Sequence, residues 1–219
     1  MKAKPMKKHS LAVLGSLVAT MALLLAHPPL SAQTLTRYEA QFGSKVSIDG
    51  TSTVHDWTVE GQIIGGYLEL DPAFSLDPAK PAAPGKVNAK VTVTIPVRSL
   101  KSGKTSMDAV MQEAMKMPQF SKIEYVLTEL VLRDPPKTGE PMRFNSNGEL
   151  TVSGVKKTIG MPVGIESMGE GKLKVTGTVP LKMTAFGIKP PAPKLALGLI
   201  TTGDDVKITF TWIIAVPKK

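Results

Sequence analysis

The sequence predicts an all-β fold, an elongated antiparallel barrel of about eight strands with one short helix at its end. Three observations lead there. Val87, Ala89, Val91, Val93, Ile95 and Val97 alternate with Asn88, Lys90, Thr92 and Thr94, and because successive strand side chains point to opposite faces, this run reads as a strand with one dry side. The alternation recurs along the chain, separated by Gly-rich and Pro-rich stretches. The run at 87–97 would extend roughly 36 Å at about 3.3 Å per residue. A two-sheet sandwich would also bury such faces, but long strands favour closure into a barrel.

Residues 1–32 carry the marks of a cleavable export signal. Lys2, Lys4, Lys7 and Lys8 precede an uncharged apolar stretch at 11–26, and 27–32 is helix-breaking with small residues at the cut. About 16 apolar residues is short for a membrane span, and no Arg pair points to the twin-arginine route. The expected destination is the periplasm, or the medium where there is no outer membrane. Cleavage removes four lysines and no acid, so the formal charge falls from +9 to +5, with 23 cations against 18 acids. No basic run interleaved with aromatics remains, so nucleic acid is not expected as a partner; a transient contact with a membrane surface stays open.

The remaining span, 33–219, fits one domain. Cysteine is absent, which removes disulfides, thiolate metal sites and a lipid-modified N-terminal cysteine. In chain order, strands are expected near 38–48, over Trp57, Val59, Gly61 and Ile63, at 67–70 and at 87–97. Others follow near 123–132 and 144–153, over Ile159 to Ile165, over Leu173 to Leu181 and from Val206 to Val216. Gly65-Gly66, Asn147-Gly148, 169–171 and 203–205 read as turns. The proline-bearing stretches 71–85, 133–141 and 189–194 read as surface loops. Ala89, Gly61 and Gly177 are small residues on inward positions and hint at interior space.

One helix interrupts the strands. Thr105 is expected to cap it, with Asp108 in a capping box, and Pro118 to close it after Met117. Met107, Met111 and Met115 recur every four residues and so share a face. That stripe can cap a packed core or form a lid on a cavity, since unbranched methionines adapt to variable apolar ligands.

Most catalytic chemistry lacks its residues. After cleavage His55 is the remaining histidine, no Gly-x-Ser-x-Gly turn occurs, and no phosphate-cradling loop or dinucleotide fingerprint is present. Asp204-Asp205 and Asp71 with Asp77 are the visible acid pairs, and neither spacing predicts convergence across a cleft. The polar stretch Gly50-Thr51-Ser52-Thr53-Val54-His55-Asp56-Trp57 reads either as a strand start anchored by Trp57 or as the rim of a cavity.

Several segments occur in a telling order: Thr-Ser-Thr-Val-His-Asp-Trp at 51–57, Pro-Val-Arg-Ser-Leu at 96–100, Met-Asp-Ala-Val-Met at 107–111 and Pro-Gln-Phe-Ser-Lys-Ile-Glu-Tyr at 118–125. Gly-Glu-Leu-Thr-Val-Ser-Gly-Val-Lys-Lys at 148–157 and Met-Thr-Ala-Phe-Gly-Ile-Lys-Pro-Pro at 183–191 continue it. Together they resemble the YceI-like family of exported lipid-binding proteins. The chain departs from the best-known members at Gly61, followed by Gln62 and Ile63 rather than an aromatic, and in the long 71–85 loop. The resemblance implies a lipocalin-like barrel whose lumen holds a polyisoprenoid or prenylated quinone without chemistry and without a cofactor. The lining expected on that basis is Trp57, Val59, Val91, Val93 and Ile95, with Met107, Met111 and Met115 as the lid. His55, Arg98 and Lys101 are candidates for a headgroup. The protein is expected to be a monomer or homodimer. The alternatives are an envelope interaction module with a packed core and, third, a carboxylate-dependent hydrolase.

Overall fold

In the computed structural model, which describes Met1 and residues 34–77, 80, 82–134, 139–192 and 200–218, the alternating positions form eleven strands. Apart from Met1, the segment expected to direct export lies outside these residues. The strands are β1 (Thr36–Ala40), β2 (Lys45–Ser52), β3 (Trp57–Gly61), β4 (Gly65–Leu70), β5 (Gly85–Val87) and β6 (Ala89–Pro96). After the helix α1 (Thr105–Ala114) come β7 (Lys122–Leu132), β8 (Met142–Val152), β9 (Val155–Gly169), β10 (Lys172–Lys182) and β11 (Thr202–Ala215).

Three wall strands are broken in two. β1 and β2 follow each other along β11, and β3 and β4 follow along β2 and β1. β5 pairs with β7 alone, whereas β6 lies between β4 and β7. Counting each broken strand once, eight antiparallel staves close into a ring through the pairing of β11 with β1 and β2. Each stave is thus paired on both sides along at least part of its length.

The breaks have local causes. Between β1 and β2, buried Ser44 stands in for the missing ladder: its hydroxyl accepts the Ile213 N–H at 3.0 Å and donates to the Gln41 carbonyl at 3.0 Å. The strand expected at 87–97 is interrupted at Asn88, whose carbonyl accepts the Asp71 N–H at 3.1 Å. Its inward parity survives the break, with Val87 and Val97 buried and Ala89, Val91, Val93 and Ile95 half-buried, while Asn88 and Lys90 are exposed. Between β3 and β4 the parity slips by one, so Ile63, expected on the face of Trp57 and Val59, is exposed and Ile64 is buried.

Three expected turns lie inside strands. Gly65-Gly66 opens β4, where the two glycines pair with Thr94 and Val93 of β6. Asn147-Gly148 is in β8, where the register with β7 shifts between Leu127 and Glu129. Residues 203–205 are in β11, where the register with β2 shifts between Thr202 and Val206. The real β8–β9 turn is Ser153-Gly154, both with positive φ, while 169–171 makes the β9–β10 hairpin as expected.

One half of the barrel is filled. Leu68, Leu70, Leu130, Leu132, Met142, Phe144, Val163, Ile165, Leu173 and Ile214 are buried there. The 71–85 loop, expected on the surface, sends Phe74 and Leu76 against this core, with the Phe74 and Phe144 ring centroids 6.0 Å apart. That apolar loop seals the barrel end.

The other half is looser. The β9–β10 ladder stops at Gly177 and Val163, just below Pro162 and Pro180, which have no N–H to donate. Beyond that point the 3-10 turn Met183–Phe186 packs beside both strands, burying Phe186 and, after it, Ile188.

The helix differs from expectation at both ends. Lys104 is its cap residue, Thr105 is already helical, and no side chain caps it. Asp108 turns back to the preceding loop, where its carboxylate accepts the Ser102 N–H and hydroxyl, each at 2.7 Å, with Lys101 Nζ at 3.6 Å. The helix ends at Ala114 rather than Met117 because Lys116 takes a left-handed conformation at φ 54°.

Two outcomes are expected. Phe144→Ala, which hollows the filled half, lowers the unfolding free energy by about 3–5 kcal/mol in urea denaturation. Asp108→Ala, which leaves the Ser102 N–H without its partner, costs about 1–3 kcal/mol. The Ser102 N–H above all, then its hydroxyl and Lys101, hold the Asp108 carboxyl below its ordinary range against the opposing effect of burial. Its contribution is therefore complete above the unfolded value near 4 and is lost as pH falls through the lower folded value. The gap between wild type and Asp108→Ala closes in acid, which denaturation at a series of pH values measures.

Candidate functional site

The half of the barrel under α1 encloses a cavity of about 440 Å³, within the range of roughly 300–1,000 Å³ typical of small-molecule sites. Most strands supply neighbouring inward residues to its wall: Val93 and Ile95 from β6, Ile123 and Tyr125 from β7, Leu150 and Val152 from β8, Ile159 and Met161 from β9. Along β11 the lining runs from Val206 through Ile208 and Phe210 to Trp212, roughly 20 Å of strand. Ile48, Val93, Ile95, Ile208 and Phe210 point inward yet are only half-buried, whereas the bulky inward residues of the filled half, Leu68, Leu132, Phe144 and Ile214 among them, are fully buried. Reachable surface inside the wall is what an unfilled lumen produces.

Three of the five aromatic residues that line this half are laid against its wall. The Trp57, Tyr125 and Phe210 rings each occupy the place that a Cβ would take on Gly50, Gly148 and Gly177 of a neighbouring strand. A ring laid over a glycine covers the wall and leaves the middle free. Gly177 thus contributes to interior space by receiving a ring. At Gly61, the Leu100 side chain comes within 2.9 Å of where a Cβ would stand, so that glycine adds packing and no void.

The floor is polar but satisfied. Trp212 Nε1 donates to the Ile64 carbonyl at 3.2 Å, and the Tyr125 hydroxyl lies 2.6 Å from Ser146 Oγ. Burial raises the Tyr125 phenol above its ordinary value, with the Ser146 bond opposing, so it stays neutral at physiological pH. Overhead, Met107, Met111 and Met115 face the cavity from α1, with Met183 and Phe186 beside them from the 3-10 turn.

Polar groups gather at the rim: Ser52, His55, Lys104, Ser106, Lys182 and Thr202. Ser52 Oγ donates to the His55 carbonyl at 2.7 Å and accepts the N–H groups of Val54 and His55, fixing the loop that carries His55. Lys182 Nζ sits 2.8 Å from Asp205, which raises its pKa. Asp204 accepts the Thr184 hydroxyl at 2.6 Å and its N–H at 2.8 Å, which lower its pKa. The β11 bulge thereby ties down the turn that carries Met183.

Trp57, Val59, Val93, Ile95, Met107, Met111 and Met115 line the cavity, and His55 stands at its rim. Val91 does not line it: β6 continues into the filled half, where Val91 is paired with buried Leu68. Arg98 and Lys101 are also off the lining. Arg98 is exposed on a turn held by inward Val97, and Lys101 is drawn to Asp108 while its backbone bridges to Glu60. Lys104 and Lys182 reach the rim instead, and neither was singled out by its sequence context. The acid pairs stay off the lining, Asp71 and Asp77 beyond the filled end and Asp204-Asp205 in the β11 bulge. Among the described residues, no three His, Asp or Glu side chains gather as metal ligands.

Comparisons with known proteins agree with this architecture. A model of the YceI-like domain matches residues 39–213. Burkholderia cenocepacia BcnA superposes with a TM-score of 0.58 at 19% identity, over 78% of this chain and 95% of that one. A protein of Saccharophagus degradans, described as a polyisoprenoid binding domain implicated in plant cell wall breakdown, gives 0.59 at 13% identity over 84% and 99%. The Campylobacter jejuni YCEI protein gives 0.52 at 17% identity over 74% and 85%. No curated protein matches the sequence. At these identities the three structures establish the shared fold, and with the family model spanning the barrel from β1 to β11, the chain belongs to the YceI-like domain family.

Proposed function

We propose that the protein binds or carries a long apolar lipid of the polyisoprenoid or prenylated-quinone type, held in the open half of the barrel without making or breaking a bond. The observation that carries this reading is the cavity, whose wall is almost entirely hydrocarbon and thioether and whose polar groups, Tyr125 and Trp212 apart, stand at the rim. Burial of apolar carbon contributes about 0.8 kcal/mol per methylene, so a few isoprene units offset an association cost of roughly 4–15 kcal/mol. The Saccharophagus degradans neighbour, described as polyisoprenoid binding, supports the ligand class. His55, Lys104 and Lys182 are placed to meet a polar head while Met107, Met111 and Met115 adapt to the chain. In this reading the protein acts after export and removal of residues 1–32, as a monomer or homodimer that receives its lipid from a membrane.

Mass spectrometry of protein purified from its native envelope, native against denaturing, is expected to show one lipid per chain that organic solvent releases. Repeated recovery without lipid, together with no uptake of prenyl lipid from detergent, refutes the proposal. Gly177→Ala is expected to force the Phe210 ring toward the lumen. Displacing about two methylenes of ligand contact lowers uptake roughly tenfold, measured by competition with a fluorescent apolar probe.

A further inference from the structure

The charges of the barrel are arranged differently at its two ends, and the cavity opens at one of them. At the open end Arg98, Lys104, Lys116, Lys157 and Lys189 are exposed and have no ion-pair partner among the described residues. They come from five places: the turn after β6, the residue before α1, the turn after α1, the start of β9 and the segment after the 3-10 turn. Lys101, Lys122, Lys156 and Lys182 at the same end are each already paired with an acid. Against the five stand exposed Asp56 and Glu113; Asp204 is engaged by Thr184. Among the described residues the filled end is balanced, with exposed Lys80, Arg133, Lys172 and Lys218 set against the same number of acids, Asp71, Asp77, Asp134 and Glu170.

A second feature shares the basic end. Val54, at 62% exposure, projects from the 52–56 loop at the cavity rim, next to His55. An exposed aliphatic side chain at the same end as five unpaired cations fits a surface that is anionic outside and apolar beneath. An acidic protein surface would satisfy the cations but offer no reason for the mouth of an apolar cavity to lie at the same end.

We infer that the open end is a docking face for an anionic lipid surface, which places the cavity mouth on the membrane while the filled end stays in solvent. This rests on the lumen being the lipid site and adds its partner surface and orientation. The attraction falls off within a Debye length, so docking is reversible and weakens with salt.

Co-sedimentation of the purified protein with vesicles tests it. Vesicles of phosphatidylcholine with about one third phosphatidylglycerol are expected to bind the protein at low salt, and those of phosphatidylcholine alone to bind it far less; each lost cation weakens the former about fivefold. The triple variant K116E/K157E/K189E, none of whose positions lines the cavity, is expected to lose vesicle binding and keep uptake of prenyl lipid from detergent. The filled-end variant K80E/K172E/K218E keeps both. Equal loss in the two variants, indifference to phosphatidylglycerol, or binding that high salt does not weaken overturns the inference. Uptake from detergent without vesicle binding refutes docking alone; vesicle binding without uptake refutes the lumen reading and leaves docking standing.

Discussion

Closing eight staves into a ring gives the interior one width, and the rest of the structure depends on how that width is used. Near Phe144 and Met142, bulky side chains from facing staves meet in the middle with Phe74 from the loop between β4 and β5, and nothing is left over. Near Val93 and Ile208 the wall residues are smaller, and the Trp57, Tyr125 and Phe210 rings are laid over Gly50, Gly148 and Gly177. The same period-two pattern thus builds a plug in one half and a tunnel in the other. What separates them is where each ring goes, and a glycine on the adjacent strand decides that.

The division also separates the part that holds the fold together from the part that holds the cavity. An empty apolar cavity forfeits dispersion contacts along its wall, so a barrel that is open throughout would be poorly held. Here the closed half, sealed by Phe74 and Leu76, supplies the tight packing. Trp212 and Tyr125 sit at the junction with their polar atoms satisfied by Ile64 and Ser146. Those bonds cost the floor nothing in unpaired groups while fixing its shape. A ligand that fills the upper half adds contacts that the lower half does not need, so it stabilises the fold by mass action without being required for it.

The sequence shows the wall clearly because the pleat enforces alternation however a strand is paired. Val179, Leu181, Ile208 and Phe210 face inward as their spacing requires. It shows the breaks badly. Asn88 interrupts β5 and β6 without disturbing parity, so 87–97 reads as one strand, whereas the slip between Gly61 and Ile64 exchanges the faces and strands Ile63 outside. Ser44 carries no signal of its own, since its work is to replace ladder bonds of a strand remote in sequence. Gly148 and Gly203 read as turn residues because glycine meets two needs, positive φ and close approach, and periodicity cannot tell them apart. The methionine stripe is legible for the opposite reason: a four-residue spacing on a short helix leaves few other ways to face a core.

The lid is where these threads join. α1 has no side-chain cap, and its orientation comes from Asp108 reaching back to Ser102 and Lys101. Buried Ser153, at the β8–β9 turn, accepts no such role in the strand pairing; its hydroxyl donates to the Met115 carbonyl at 2.9 Å and so ties the far end of the helix to the barrel wall. Held at both ends by polar bonds, the helix can offer its methionine face to the cavity without apolar packing having to fix its position. An apolar lid held by apolar contacts alone would settle into the lumen and fill it. One held by Asp108 and Ser153 can span an open space, and that arrangement lets the upper half of the ring remain a cavity.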